Sequence, residues 1–238
     1  MSTRQKKYVV ATIRTWNIRN FEKFTKSLPG KWYLITNKND LCLNTLKKID
    51  PVYIFFPHWS WIIPEEIYLN FECVVFHETD LPFGRGGSPL QNLIEREIYE
   101  TKISALKVVK EIDAGPIYLK EDLSIHGSAE EIFIRYSDKV FEMIKYIVVN
   151  QPIPQEQQGE VVVFKRRKPE QSRIPKTKNL TKIFDYIRML DAEDYPRAFI
   201  EIDHLRLEFS RVSMRAGYLL ADVKIKLRNY TGENKEEG

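Results

Sequence analysis

The sequence predicts an α/β fold in which a mostly parallel sheet is flanked by helices and followed by a small C-terminal β-rich subdomain. Four short apolar runs, separated by segments of helical spacing, indicate buried strands. They cover residues 7–13, 31–36, 52–56 and 73–76. Alternation of strands and helices favours parallel strands joined by right-handed crossovers. Strand-like stretches that follow one another near the C-terminus favour an antiparallel sheet, at residues 198–202, 205–212 and 218–227.

Helices are predicted from the spacing of apolar residues and from signals at the helix ends. Pro29-Gly30 ends one helix, and Ser128 with Glu131 forms a capping box that begins a long one. The predicted helices are residues 17–27, 40–49, 64–68, 90–99, 128–149 and 182–190, with further strands at 101–109 and 161–166. The layout is Rossmann-like, but no Gly-x-Gly-x-x-Gly follows the first strand, so a nicotinamide dinucleotide site is not supported.

Domain boundaries are predicted from changes in composition. A Pro- and Gln-rich stretch at residues 151–158 is typical of a linker, and a basic run follows it at 165–168. We therefore predict four regions. They are a Rossmann-like domain at residues 1–150, a linker and basic segment at 151–178, a small helix-plus-β subdomain at 179–228, and a disordered tail at 229–238.

Composition limits the class of protein. The chain has 238 residues, of which 43% are hydrophobic, and a net charge of +4. No apolar run approaches the roughly 20 residues that span a bilayer, and the N-terminus lacks the apolar core of a signal peptide. The two cysteines, Cys42 and Cys73, have no metal-type spacing. These features predict a cytoplasmic protein without a metal ion and without membrane contacts.

The stretch after the fourth predicted strand carries the clearest functional signal. His77 stands at the carboxyl end of that strand, where ligands bind in open α/β sheets. The loop that follows contains Arg85, Gly86 and Gly87, and glycines allow the backbone to approach a ligand closely. From these residues alone, His77 is equally well explained as a buried strand residue or as a proton-transfer group.

Two sequence blocks resemble formyltransferases that use 10-formyltetrahydrofolate. The first is His77-Glu-Thr-Asp-Leu-Pro82 with Arg85-Gly86 and Pro89, and the second ends in Asp113-Ala-Gly-Pro-Ile117. The resemblance implies a catalytic His77 and Asp113 and the use of 10-formyltetrahydrofolate as co-substrate. The residues that it implies for binding this donor are Ile63, Pro64, Leu81, Pro82, Arg85 and Asp113.

One position departs from the family pattern. The family has Asn two residues before the catalytic His, and this chain has Val75, which cannot donate a hydrogen bond to the formyl oxygen. Loss of such a donor typically lowers the rate about 100- to 1000-fold. Asn92 is the catalytic candidate for its replacement and Thr79 is the other candidate, while an exposed helix position explains Asn92 equally well.

The predicted acceptor is the amine of a nucleotide-linked amino sugar, as in cell-surface polysaccharide biosynthesis. Arg166-Arg167-Lys-Pro-Glu and Tyr195-Pro-Arg-Ala-Phe resemble segments of sugar N-formyltransferases. The acids after Arg167 argue against binding of tRNA, so no nucleic-acid partner is expected; they are Asp185, Asp191, Glu193, Asp194, Glu201, Asp203 and Glu208. The predicted acceptor-binding residues are Thr79, Asp80, Gly86, Gly87, Arg166 and Arg167.

Other functions stay open on the sequence alone. A formyltransferase with a non-sugar acceptor, or a formyltetrahydrofolate hydrolase, would share the donor site. A folate- or nucleotide-binding protein that lost catalysis together with the Asn at position 75 is a third possibility. The resemblance to sugar enzymes also raises the possibility of a homodimer formed through the C-terminal part.

Overall fold

The computed structural model describes residues 5–228 and confirms the predicted fold class. A six-stranded, mainly parallel sheet has helices packed on it, and a separate three-stranded antiparallel sheet lies toward the C-terminus. A separate parallel pair joins the strand predicted at residues 161–166 to residues 83–86, which were not predicted as a strand. The predicted tail at residues 229–238 lies outside the described residues.

The first part of the chain builds the main sheet. Its strands and helices are, in chain order, β1 (Lys7–Ala11), α1 (Thr15–Phe24), β2 (Lys31–Ile35), α2 (Leu43–Ile49), β3 (Tyr53–Phe56), α3 (Glu65–Tyr68), β4 (Cys73–His77), β5 (Phe83–Gly86), α4 (Pro89–Glu95), β6 (Glu100–Lys107), β7 (Ile117–Ser124) and α5 (Ala129–Asn150). The later elements are β8 (Val162–Phe164), α6 (Leu180–Arg188), β9 (Ala198–Ile202), β10 (Leu205–Arg215) and β11 (Tyr218–Leu227).

The order of strands in the main sheet is β2-β1-β3-β4-β6-β7. The first four are parallel, whereas β6 and β7 run antiparallel to their neighbours. The carboxyl ends of β1, β3 and β4 therefore meet at one edge of the sheet. This is the edge at which His77 ends β4.

Alternation along β4 separates two packed layers. Val74 and Phe76 pack in the larger cluster with α5, while Cys73 and Val75 contact the smaller cluster around Ile67. The 22-residue α5 begins with the predicted capping box, in which Ser128 Oγ accepts from the Glu131 N–H and Glu131 accepts from the Ser128 N–H. Helix α1 packs beside α5 on the same face.

Three short elements differ from the sequence prediction. The sequence predicts a loop at β5, because two glycines in four residues give no alternating pattern. In the structure, Gly84 and Gly86 adopt φ angles of +81° and +101°. Strand β5 pairs in parallel with β8. Strand β7 was not predicted, and α4 ends at Glu95 rather than near residue 99.

The C-terminal sheet has the predicted antiparallel pairing, in the order β11-β10-β9. Helix α6 contacts β10 and buries Tyr186 and Ile187 against the larger cluster. Its N-cap is Asn179, whose side chain accepts from the Lys182 N–H. Among the helices of residues 5–228, none is long and apolar enough to cross a membrane.

Candidate active site

His77 is held in place by the backbone of β5. Its side chain is 9% exposed, and Nε2 lies 2.8 Å from the Gly84 carbonyl oxygen. A carbonyl oxygen only accepts hydrogen bonds, so Nε2 carries a proton and donates it. The other ring nitrogen, Nδ1, is therefore the atom at which His77 can gain or lose a proton.

Asp113 reaches this nitrogen from the loop between β6 and β7. Its φ of +55° lies in the left-handed region, and the tight turn continues through Gly115. A Cβ atom on Gly115 would lie 1.8 Å from the Lys107 carbonyl oxygen, so no larger residue fits there. The Gly86 N–H donates to Asp113 Oδ2 at 2.9 Å, which fixes the carboxylate beside β5.

The gap between the two side chains leaves room for a reacting group. His77 Nδ1 and Asp113 Oδ2 are 3.6 Å apart, longer than a normal hydrogen bond. Asp113 Oδ1 accepts no hydrogen bond from any residue between positions 5 and 228. When the imidazole is doubly protonated, Nδ1–H is a general acid beside the open carboxylate oxygen, which is a general base.

Gln157 fastens the Asp113 loop to β5. Its Nε2 donates to the carbonyl oxygens of Asp113 and Gly115, both at 2.8 Å, and its Oε1 accepts from Arg85 at 3.0 and 2.7 Å. Sequence reasoning missed this residue, because one amide in a Pro- and Gln-rich stretch gives no distinct signal. Arg85, predicted to bind the donor, contacts Gln157 instead.

The two candidates for replacing the family Asn are engaged elsewhere. Asn92 Nδ2 donates to the carbonyl oxygens of Gly87, Ser88 and Lys165, and Asn92 Oδ1 accepts from Arg96. Thr79 is fully buried, and its hydroxyl donates toward Gly84 O at 3.5 Å. These bonds tie Asn92, within α4, to the backbone before that helix and to Lys165, and the structure does not bring it to the His77 pair.

A second histidine–carboxylate pair, which sequence reasoning missed, lies at the same edge. His58 follows β3 and Glu78 follows His77, and His58 Nε2 contacts Glu78 Oε1 in a very short hydrogen bond. The rings of Tyr136 and Phe133 pack on His58, with centroids at 4.3 and 4.8 Å. The available signal was a histidine directly after each of two neighbouring strands.

The residues predicted to bind the donor fall into two groups. Ile63 is buried in the smaller cluster, with Trp59 and Val75 packed against that cluster, and Pro64 is exposed as the N-cap of α3. Leu81 and Pro82 are buried, and their backbone carbonyl oxygens accept from Lys120 and Val162. Trp59 Nε1 is buried and has no partner between residues 5 and 228.

The residues predicted to bind the acceptor are spread over two places. Asp80 is on the far side of Thr79 and pairs with Lys120. Gly86 and Gly87 pack against the Phe164–Arg166 segment that follows β8. Arg166 is exposed, whereas Arg167 is held by Glu95 at 2.5 Å and by the Gln171 carbonyl oxygen. In the described part of the chain, no group of three or more His, Cys, Asp or Glu side chains could hold a metal ion.

Comparison with known proteins gives consistent matches. Residues 169–226 match the family model described as the C-terminal domain of methionyl-tRNA formyltransferase. The solved structure of methionyl-tRNA formyltransferase from Clostridium thermocellum is 57% identical, with a TM-score of 0.91, and the match covers 93% of this chain and 99% of that one. Methionyl-tRNA formyltransferase from Thermodesulfovibrio yellowstonii is 22% identical over 84% of this chain and 67% of its own length.

Two further findings bear on these matches. Other curated relatives of the same name are matched over only 30% to 58% of their own length. A sugar N-formyltransferase from Shewanella has a TM-score of 0.64 and covers 89% of this chain and 99% of that one, but it is only 14% identical, so it shows a shared fold alone.

Proposed function

Because the chain belongs to the methionyl-tRNA formyltransferase family, we propose that it transfers a formyl group from 10-formyltetrahydrofolate to the amine of methionyl-tRNA. The observation that carries this proposal is 57% identity over 99% of the Clostridium thermocellum protein. Family membership confirms the predicted enzyme class, a formyltransferase, and the predicted donor.

The prediction of a nucleotide-linked amino sugar as acceptor is wrong, and so is the expectation of no nucleic-acid partner. The solved structure that is 57% identical and the curated relatives are methionyl-tRNA formyltransferases, whereas the sugar enzyme, at 14% identity, shares only the fold. The roles of the individual site residues, and the acceptor itself, are what we propose here.

The count of acids after Arg167 was misleading because many of those acids are already paired. Ion pairs join Asp185 to Arg188, Asp191 to Arg197, Asp194 to Arg14, Glu201 to Arg173, and Glu208 to Lys226. Carboxylates neutralised in this way do not form an acidic surface that would repel phosphates.

The cations near the site are, by contrast, exposed. None of a set of six pairs with a carboxylate within residues 5–228; they are Lys165, Arg166, Lys168, Lys176, Lys178 and Lys182. The run begins where the Arg166 side chain packs on Gly87, next to the His77 loop. Exposed cations leading away from a site supply the phosphate contacts on which affinity for nucleic acid depends.

The residues at the sheet edge fit the donor. Val75 lies on the His77 face of β4 and contacts the cluster that holds Ile63, and Trp59 packs there with an unpaired indole N–H. Apolar walls with one free donor suit a flat heterocycle that carries polar edges. When bound there, 10-formyltetrahydrofolate supplies the formyl group.

His77 and Asp113 divide the proton transfers. Asp113 Oδ1 is open and accepts the proton that the attacking amine must lose. In its doubly protonated form, His77 donates from Nδ1–H to the negative charge that develops on the formyl oxygen and then protonates the leaving nitrogen. Val75 has no hydrogen-bond donor in its side chain. The Asn92 amide and the Thr79 hydroxyl already donate to backbone carbonyl oxygens. His77 Nδ1–H is therefore the side-chain donor that the site offers to the formyl oxygen.

A formylation assay with methionyl-tRNA tests this proposal. Wild-type protein with 10-formyltetrahydrofolate should yield formylmethionyl-tRNA, and Asp113→Asn should lower kcat/KM about 100-fold or more, since the amide still accepts from Gly86 N–H but cannot accept a proton. Asp122→Asn, at an exposed ion pair on β7, is the matched control and should behave as wild type. Absence of formylmethionyl-tRNA with the wild-type protein would overturn the proposal.

A further inference from the structure

The His58–Glu78 pair is buried at the active-site edge, and the proton transfers assigned above do not use it. The two side chains are 12% and 8% exposed. Glu78 directly follows His77, so their Cα atoms are about 3.8 Å apart. The Glu78 side chain reaches the segment that follows β3, where it meets His58.

The hydrogen bonds of His58 define its charge. Trp16 Nε1 donates to His58 Nδ1 at 3.1 Å, and an indole nitrogen can only donate. Nδ1 is therefore unprotonated, and the proton of a neutral imidazole lies on Nε2, from which it is donated to Glu78 Oε1. The pair as a whole carries the single negative charge of Glu78.

Glu78 has no cationic partner within residues 5–228. His58 makes its only hydrogen bond there, to Oε1, so Oε2 stays open. The nearest charges act at longer range. Burial raises the pKa of Tyr195 and the Glu78 carboxylate raises it further, while Arg14 and Arg166 lower it. The Arg14 guanidinium packs over the Tyr195 ring, with 5.4 Å between its Cζ and the ring centroid.

Burying a carboxylate without a cation costs free energy. A ligand that supplies the missing cation would explain why the buried, negatively charged Glu78 lies beside the catalytic His77. The acceptor proposed above carries one, because the amino group of an aminoacyl ester arrives as an ammonium group with three N–H donors. It releases one proton to solvent before the free amine attacks, and the second proton passes to Asp113. Its nucleic-acid part carries phosphates, which match the exposed Arg166.

We propose that Glu78 binds the ammonium group of the aminoacyl acceptor and that the neutral His58 holds the carboxylate in position for it. This inference rests on the proposed function and names the residue that selects an acceptor with a free amine.

Steady-state kinetics of Glu78→Gln test this role. The amide keeps the hydrogen bond from His58 Nε2 and removes only the charge. The apparent KM for methionyl-tRNA should rise about 10- to 100-fold, the range for loss of a charge-assisted hydrogen bond. The KM for 10-formyltetrahydrofolate should stay unchanged. Asp122→Asn is the control for loss of one carboxylate and should leave both values unchanged.

Binding of tRNA that lacks a free amine shows whether Glu78→Gln has lost recognition of the ammonium group or has damaged the structure of the protein. Uncharged tRNA and N-acetylmethionyl-tRNA should bind Glu78→Gln and wild type equally, because neither offers an ammonium group. Thermal unfolding should show an equal or higher Tm for Glu78→Gln, since a buried charge has been removed. A lower Tm, with KM values for both substrates raised together, would assign Glu78 a structural role and overturn the proposal.

The two levels of inference fail in different ways. Wild-type protein that makes no formylmethionyl-tRNA contradicts the proposed function itself. Wild-type protein that makes it, together with Glu78→Gln at an unchanged KM for methionyl-tRNA, contradicts only the role of Glu78.

Discussion

The two histidine–carboxylate pairs at the edge of the main sheet use the same residue types in opposite ways. In the His77–Asp113 pair the nitrogen and oxygen are 3.6 Å apart, and each partner is fixed by β5 backbone. In the His58–Glu78 pair the two atoms are in direct contact, and aromatic rings pack on the imidazole. In the first pair, His77 Nδ1 and Asp113 Oδ1 make no hydrogen bond to residues 5–228. In the second pair, this is true only of Glu78 Oε2.

The difference shows that the backbone around a pair determines its use more than the identity of the residues does. The Gly84 carbonyl takes the Nε2 proton of His77 and exposes Nδ1, whereas Trp16 blocks Nδ1 of His58 and leaves Nε2 to the carboxylate. The His77 imidazole can therefore exchange a proton with the reacting group. The other is set to stay neutral. Substitutions that remove each pair should therefore affect different quantities.

Replacing His77 should have the largest effect, and it should be on the rate. His77→Asn removes the acid that protonates the leaving nitrogen, so kcat should fall about 1000-fold. The free energy of unfolding should fall by only about 1 kcal/mol, because the Asn amide is too short to replace Nε2 as the donor to the Gly84 carbonyl. Formylmethionyl-tRNA production and urea unfolding measure the two quantities. His126→Asn, on an exposed histidine, is the control; a kcat within tenfold of wild type for His77→Asn would contradict the assignment.

Replacing His58 should act mainly on stability. His58→Leu leaves the Glu78 carboxylate buried without a donor, which should lower the free energy of unfolding by about 3 kcal/mol. Urea unfolding at pH 7 measures the loss, with His126→Leu as the exposed control. The double substitution His58→Leu and Glu78→Met should recover part of it, because the buried carboxylate is gone while the Trp16 N–H stays without its acceptor. Equal destabilisation by the single and double variants would show that the two side chains are not coupled.

A smaller effect is expected at the amide that holds the open pair together. Gln157→Ala removes two hydrogen bonds to the Asp113 loop and the partner of Arg85, so Asp113 becomes less well positioned and kcat should fall about tenfold. Gln158→Ala, at the neighbouring exposed position, should retain wild-type kcat. A kcat for Gln157→Ala equal to that of Gln158→Ala would show that the loop is held without this amide.

Much of the fold could be read from local patterns, because strands β1 to β4 are continuous apolar runs and α5 has a capping box. Strand β5 could not, since two glycines in four residues give no alternation and its partner β8 lies about 80 residues away in the sequence. The carboxylate partner of His77 was reached through a family resemblance. Nothing in the local sequence around Asp113 indicates that its side chain lies close to His77.

The misleading signals at the site share one physical cause. Asn92 was considered as an oxyanion donor, and the acids after Arg167 were considered as a repulsive surface, from residue type alone. In the structure Asn92 Nδ2 is used on three carbonyl oxygens, and Asp185 and Asp191 are paired with arginines. Residue type gives what a side chain can do, but its neighbours in space determine what remains free, and Gln157 was missed for the same reason.

The pairing of β5 with β8 also has a consequence for how the site comes into being. His77 depends on the backbone of β5, and Gly86 and Gly87 in turn pack on Phe164 and Arg166. Gln157, which holds the Asp113 loop, belongs to the same late segment. The contacts that shape the site thus have long sequence separation, and such contacts form slowly. During synthesis, the whole sheet and α5 are made before the site can close, so assembly of the catalytic pair is a late step in folding.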